Sequence, residues 1–168
     1  AGLHFEGGIF TNLTHDHLDY HESFAAYRDV KKSFFDHLPK ASFALVNADD
    51  KNGMVMMQNT VARKYTYALK TTADFKGRIL ENQFSGLLLN IDNKEVYSNL
   101  IGAFNAYNLL AIYATSCLLG MEKLEVLRLL SDLKNVDGRF QYLISREGVI
   151  AIVDYAHTPD ALKNVLET

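Results

Sequence analysis

Ser42-Phe43-Ala44-Leu45-Val46-Asn47, then Ala48-Asp49-Asp50, then Tyr65-Thr66-Tyr67-Ala68-Leu69, decides the fold of this 168-residue chain. The first run is short and almost wholly apolar, the pattern of a strand buried on both faces. Aspartates suit a helix start, so Ala48-Asp49-Asp50 is expected to cap a helix running through about Ala62. Tyr65–Leu69 then reads as the next strand. Strand, helix and strand joined by short connections define parallel α/β architecture with right-handed crossovers.

Upstream, Gly8-Ile9-Phe10-Thr11-Asn12-Leu13 is strand-like. Ser23 is placed to cap a helix that Pro39 closes after Leu38. Downstream, from Phe75, the apolar period changes to two. Strands are expected at Gly77–Phe84, Gly86–Ile91 and Lys94–Ser98, forming an antiparallel patch. Asn99–Asn108 leads into a long apolar helix ending near Gly120, and a second helix is expected from Glu122 to Leu133. Gln141–Ser145 and Val149–Asp154 flank the turn Arg146-Glu147-Gly148 as a hairpin. Thr158 and Pro159 then start a further helix as N-cap and first residue. The fold class expected is α/β, a three-layer, doubly wound, mostly parallel sheet with an antiparallel patch. The fresh strand-to-helix unit after Val136-Asp137-Gly138-Arg139 marks a boundary between residues 1–138 and 139–168.

Composition narrows the function classes. A net charge of -3 with interspersed signs argues against a protein held to nucleic acid by its phosphates. No apolar run approaches the ~20 residues of a membrane span. Cys117 is the single cysteine, so an internal disulfide and a multi-cysteine zinc site are excluded. Lying in an apolar run, it is expected to be a buried thiol in a cytoplasmic protein. The chain has no initiator Met and ends within a helical pattern, which reads as a piece of a longer protein.

Chemistry concentrates in Thr11-Asn12-Leu13-Thr14-His15-Asp16-His17-Leu18-Asp19-Tyr20-His21, where three histidines and two aspartates follow a strand. The end of a strand is where open α/β sheets bind ligands, and imidazole and carboxylate suit metal or phosphate chemistry. A solvated loop with capping aspartates fits the same residues. Lys31 falls at helical spacing among Phe24, Tyr27, Val30, Phe34, Phe35 and Leu38, whereas Lys32 points off that face. Burial there lowers a lysine's pKa and leaves an amine able to act as base or nucleophile, or to take up carbon dioxide as a carbamate. The alternative is a lysine whose stem covers the core while its head reaches water.

Asp154-Tyr155-Ala156-His157 lies between a strand and a helix start and suits a ribose and base. Ordinary capping explains Thr158 and Pro159 but leaves Asp154 and His157 without a role. Arg139 is placed either for a phosphate or for a surface ion pair. Asn105 and Asn108 serve either as caps or as amides reading a base. No Gly-x-x-x-x-Gly-Lys-[Ser/Thr] loop is present.

Thr11–His21, Tyr27-Arg28-Asp29-Val30-Lys31, Asn47-Ala48-Asp49-Asp50, Leu100–Asn108, Gly138-Arg139-Phe140 and Asp154–Leu162, in this order, resemble the Mur ligases of peptidoglycan synthesis. The likeness is greatest to their E-type branch, and Glu22, where many relatives have Gly, is the main departure. The resemblance implies the latter part of a P-loop-type ATPase central domain over 1–138 and the start of a Rossmann-like ligase domain over 139–168. It implies ATP-dependent addition of a third amino acid, diaminopimelate or lysine, to UDP-N-acetylmuramoyl-dipeptide through an acyl phosphate. ATP and Mg2+ are the implied cofactors, with no nucleic-acid or membrane partner. His17 and a carbamylated Lys31 are the implied catalytic and second-magnesium residues. Asn108, Arg139, Asp154 and His157 are the implied nucleotide contacts. The phosphate cradle is expected in preceding chain, so these 168 residues alone are expected to be inactive. Alternatives are a folylpolyglutamate synthase-like ligase and a non-catalytic nucleotide-binding module.

Overall fold

All five residues of strand β2, Phe43–Asn47, are buried, and their alternation splits the core in two. Phe43 and Leu45 face one cluster of apolar side chains while Ala44 and Val46 face another. A strand apolar on both sides is stable only between two covering layers, and the three-layer arrangement follows from that. The structure is a computed structural model and describes residues 2–14 and 23–168, with the backbone only of Asp160.

Strands β1 (Gly7–Phe10), β2, β3 (Arg63–Ala68) and β4 (Phe75–Gln83) pair in parallel in that order. Strands β5 (Gly86–Ile91) and β6 (Lys94–Ser98) extend the same sheet in antiparallel fashion. The change of period at Phe75 therefore marks a real change of pairing. Between β3 and β4 no helix is needed, because only Tyr67 with Phe75 and Ala68 with Lys76 meet across the pair. Asp74 closes that connection by accepting from the amide and hydroxyl of Thr66 at 2.8 and 2.7 Å.

Helix α1 (Phe24–Asp36) begins at Ser23, whose hydroxyl accepts from the Ala26 amide. It packs Phe35 against Phe10, Leu13, Val46 and Met56 on one side of the sheet. Helices α3 (Ala103–Leu118) and α4 (Lys123–Ser131) cover the other side through Leu109, Leu110, Tyr113, Val126 and Leu130. Cys117, in the last turn of α3, is only half-buried at the margin of that cluster; the expectation of a buried thiol is corrected accordingly. No helix among the described residues is long and apolar enough to cross a membrane.

The helix expected through Ala62 is a four-residue turn of helix, α2 (Gly53–Met56). Its cap residue is Asn52, without a side-chain cap bond, because the carboxylates of Asp49 and Asp50 are engaged elsewhere. After it, the chain turns through Gln58 and Asn59 and re-enters the sheet at Arg63. Strands β7 (Gln141–Ile144) and β8 (Ile150–Val153) form a separate two-stranded sheet, followed by α5 (Pro159–Leu166), which Thr158 caps at the Ala161 amide.

Gly53 makes the closest approach in this frame. A Cβ there would lie 2.1 Å from the carbonyl oxygen of Asn47, a backbone atom fixed at the end of β2. Gly53→Ala is expected to lower stability by about 2 kcal/mol, the usual cost of forcing an extra carbon into a packed site. The denaturant midpoint should fall with an unchanged slope; an unshifted midpoint would show that the exit of β2 moves freely.

Candidate functional site

The exits of β1, β2 and β3 lie side by side at the C-terminal edge of the parallel strands, and two adjacent aspartates tie them together. Asp49 accepts on Oδ2 from the amides of Leu69 and Lys70 and the hydroxyl of Tyr107 at 2.8, 2.9 and 2.9 Å. Its Oδ1 accepts from the amide and hydroxyl of Thr71, both at 2.8 Å. Three successive amides converging on one anion form a nest, here filled by the chain's own carboxylate. Asp50 turns the other way and accepts from the Leu13 amide at 3.2 Å and from the Asn52 amide at 2.7 Å. Asn47 donates its side-chain amide to the Thr11 carbonyl at 3.0 Å. Sequence reasoning gave these aspartates only to a helix cap, and no local pattern distinguishes a cap from a bond to a residue 37 or 58 positions away.

Tyr107 sits on α3 beside Asn108, whose exposed amide donates to Asn105 Oδ1 at 3.2 Å. Asn105 in turn donates to the Ile101 carbonyl at 2.7 Å, so it serves the helix entry and leaves Asn108 as the outward-facing amide. Beside Asn108 runs a groove of about 480 Å³ formed by Ile9 and Thr11 at the open edge of β1 with Ala111, Ile112 and Thr115 of α3. Phe104, one helical turn before Asn108, stacks edge-on with Phe140 at 5.8 Å and so fastens the terminal unit to α3.

Phe140 is buried yet has φ of 45°, a conformation unusual for a bulky residue. It is held there by its ring contact and by its amide, which donates to Asp154 Oδ2 at 2.7 Å. The strained turn presents Arg139 outward, its guanidinium 5.4 Å from the centre of the Tyr155 ring. Tyr155 meets the His157 ring edge-to-face at 5.1 Å. Arg139, Tyr155 and His157 are thus brought together as one exposed cation, ring and imidazole platform. Asp154 also accepts from the Ala156 amide at 2.7 Å, so turn chemistry does give this acid a role, and the expectation that it would not is corrected.

Lys31 and Lys32 reverse their expected places. Lys31 is exposed, with its ammonium 5.0 Å from the centre of the Tyr27 ring, which corrects its expected place on the buried face. Lys32 is buried, and its ammonium lies 2.6 and 2.7 Å from the two oxygens of Asp36 one turn further on. The pairing makes the burial tolerable, and the spacing of Lys32 and Asp36 was the signal for it. Lys31 lies in the layer opposite that of Asn108. His17, with the rest of the histidine cluster at 15–22, lies outside the described residues. Among the described residues no three His, Cys, Asp or Glu side chains converge as a metal site.

The described residues thus present an exposed Arg139, Tyr155 and His157 platform and an outward Asn108 amide, with Lys31 exposed on the other layer. Residues 1–116, more than half of the chain, match the Mur ligase middle domain, and the chain belongs to the Mur ligase family. It is similar to the UDP-N-acetylmuramoyl-L-alanyl-D-glutamate–2,6-diaminopimelate ligase of Phocaeicola vulgatus, 61% identical over 166 residues, covering 99% of this chain and 34% of that protein. The ligase of the same name from Bacillus cereus is 35% identical over 177 residues, covering 99% and 36%. A solved structure of a ligase so named superposes with a TM-score of 0.78 at 31% identity, covering 97% of this chain and 35% of that one. MurF from Acinetobacter baumannii superposes at 0.84 with 16% identity, covering 95% and 36%, which speaks to the fold alone. The chain spans about a third of the length of the curated relatives it matches.

Burial pulls the pKa of Asp49 up, but bonds from Lys70, Thr71 and Tyr107 outweigh it and hold the carboxyl well below the usual range. Its folded value is therefore below its unfolded value of about 3.9. The stabilisation is fully present above that pH and is lost as the pH falls from there through the folded value. Asp49→Asn is expected to cost about 2 kcal/mol near neutrality, since it sets an amide donor against the nest. It should also flatten the acid limb of the stability curve below about pH 4. Denaturant midpoints across pH check this; an acid limb as steep as the parent's would contradict it.

Proposed function

We propose that the chain is the latter part of the central ATP-binding domain, residues 1–138, and the opening of the C-terminal domain, residues 139–168, of an ATP-dependent amide ligase. Its reaction joins diaminopimelate as the third amino acid to UDP-N-acetylmuramoyl-dipeptide, in the cytoplasm. The observation that carries this reading is the 61% identity over 99% of the chain to a relative named for that reaction. The contiguous Arg139, Tyr155 and His157 platform supports it from the side of the nucleotide.

In this reading the dipeptide's terminal carboxylate attacks the γ-phosphate, ADP leaves, and the amine attacks the acyl phosphate with release of phosphate. When bound, ATP and magnesium supply the phosphoryl group and the neutralisation of its charge. The chain's own residues position these groups. The Asn108 amide, the Arg139 guanidinium, the His157 ring and the Asp154 carboxylate are the groups that would hold the nucleotide. His17 would be the imidazole available to a second magnesium when one is bound. Lys31, exposed above Tyr27, is reachable by carbon dioxide; addition at its amine nitrogen with loss of a proton would give a carbamate, whose oxygen would suit magnesium when it is bound. Exposure rather than burial is then what suits Lys31 to this role.

In the full-length protein Lys31→Ala is expected to abolish ligation. Lys31→Arg should not restore it, because a guanidinium stays protonated. High concentrations of a short carboxylate should restore part of the activity of Lys31→Ala. Product formation from muramoyl dipeptide and diaminopimelate is the measurement. Full activity of Lys31→Ala would remove the lysine from the site, and turnover of folate with glutamate instead would move the chain to the folylpolyglutamate synthases.

A further inference from the structure

Among the described residues from 139 to 168, Phe140 alone is buried, at 1% exposure, while Leu143, Ile144, Val149 and Val153 of the same unit lie open to water. It belongs to neither of the two core clusters that cover the sheet. Its ring instead meets Phe104 in the first turn of α3. Thr168, at the end of the unit, reaches the same helix entry, since a Cβ on Gly102 would lie 2.9 Å from its methyl carbon. Phe104 and Asn108 are four residues apart and share a face of α3. Phe140 follows Arg139 directly, so one ring contact stands between the two groups assigned to the nucleotide.

Hydrogen bonds bracket Arg139 on both sides. The Gly138 carbonyl accepts from the Tyr155 amide at 3.0 Å, and the Phe140 amide donates to Asp154 at 2.7 Å. These bonds fix Arg139 within the terminal unit, but they do not fix that unit against α3. Resting on the functional reading above, we propose that Phe140 is a positioning residue, the anchor that seats the terminal unit on Phe104 and so sets the Arg139 guanidinium relative to the Asn108 amide. Neither ring touches the nucleotide. The anchor also accounts for an aromatic at φ of 45°. Glycine would make the same turn without strain, but it would leave the unit without its buried side chain.

Steady-state kinetics of the full-length protein separate the ring from the turn. Phe140→Gly permits the turn and removes the ring, and Phe104→Ala removes the contact from the other side without touching the turn. Each should raise the KM for ATP roughly tenfold, the scale of losing one hydrogen bond between charged groups. Phe104→Tyr, which keeps a ring in place, should retain the wild-type KM. In an Arg139→Ala background neither Phe140→Gly nor Phe104→Ala should raise the KM further by more than about twofold, since their effect runs through the missing guanidinium. A wild-type KM in Phe140→Gly would show that the turn alone presents Arg139 and would overturn the proposal. Equal increments with and without Arg139 would reduce the ring pair to a structural brace and overturn it as well.

Limited digestion with trypsin gives a readout that needs no activity. The bond after Arg139 is shielded while Phe140 is seated, whereas the bond after Arg146 lies in the exposed turn between β7 and β8. In the full-length protein Phe104→Ala should speed cleavage after Arg139 about tenfold, as local opening becomes easier, and leave cleavage after Arg146 at the wild-type rate. Unchanged cleavage after Arg139 would show that Phe104 does not hold the ring and would overturn the anchor. A wild-type protein that ligates nothing would sink the functional reading, while the digestion pattern would still decide whether the anchor exists.

Discussion

Burial of β2 on both faces is the constraint from which the rest of the molecule follows. A five-residue strand with no face toward water needs a neighbour on each edge and a helical layer above and below. β1 and β3 supply the edges, α1 and α2 one layer, and α3 and α4 the other. The site inherits its place from this arrangement. Residues leaving the central strand emerge between the two layers, where Asp49 reaches α3 at Tyr107 and Asn47 reaches the exit of β1 at Thr11.

Polar chemistry at that edge is organised by the chain's own anions. Asp49 fills a nest of amides, and Asp154 caps the Phe140 and Ala156 amides in the terminal unit. Both acids hold turns whose neighbours face outward: Asn108 by way of Tyr107 in the first case, Arg139 by way of Phe140 in the second. Phe140 shows the cost of the second turn, since a buried aromatic at positive φ persists only where its surroundings over-determine it. Its contact with Phe104 makes α3 and the terminal unit parts of one arrangement.

Much of the scaffold was legible in the sequence because local rules governed it. The Phe43–Asn47 strand, the period change at Phe75, the Ser23 cap, the Glu122 start and the Thr158-Pro159 start all appear where their chemistry places them. What escaped was set by distant partners. The helix after Asp49-Asp50 shrank to one turn because those carboxylates bond across the sheet. A helical wheel gives an angle and not the neighbour at that angle, so Lys31 came out exposed beside Tyr27. Lys32 went inside because Asp36 neutralises it. Arg139, Asp154 and His157 were legible as candidates from their spacing, but the meeting of Arg139 and His157 around Tyr155, and the Asp154 bond to the Phe140 amide, depend on a turn that no period encodes.

The proposed function requires a ligase that activates a carboxylate as an acyl phosphate. The most direct measurement uses the full-length protein, ATP, diaminopimelate and a muramoyl dipeptide whose terminal carboxylate carries heavy oxygen. Attack on the γ-phosphate transfers one carboxylate oxygen to the phosphate that the amine later expels. The account predicts ADP together with labelled inorganic phosphate, one heavy oxygen for each amide formed from fully labelled substrate. Unlabelled phosphate, or release of AMP and pyrophosphate, would contradict it.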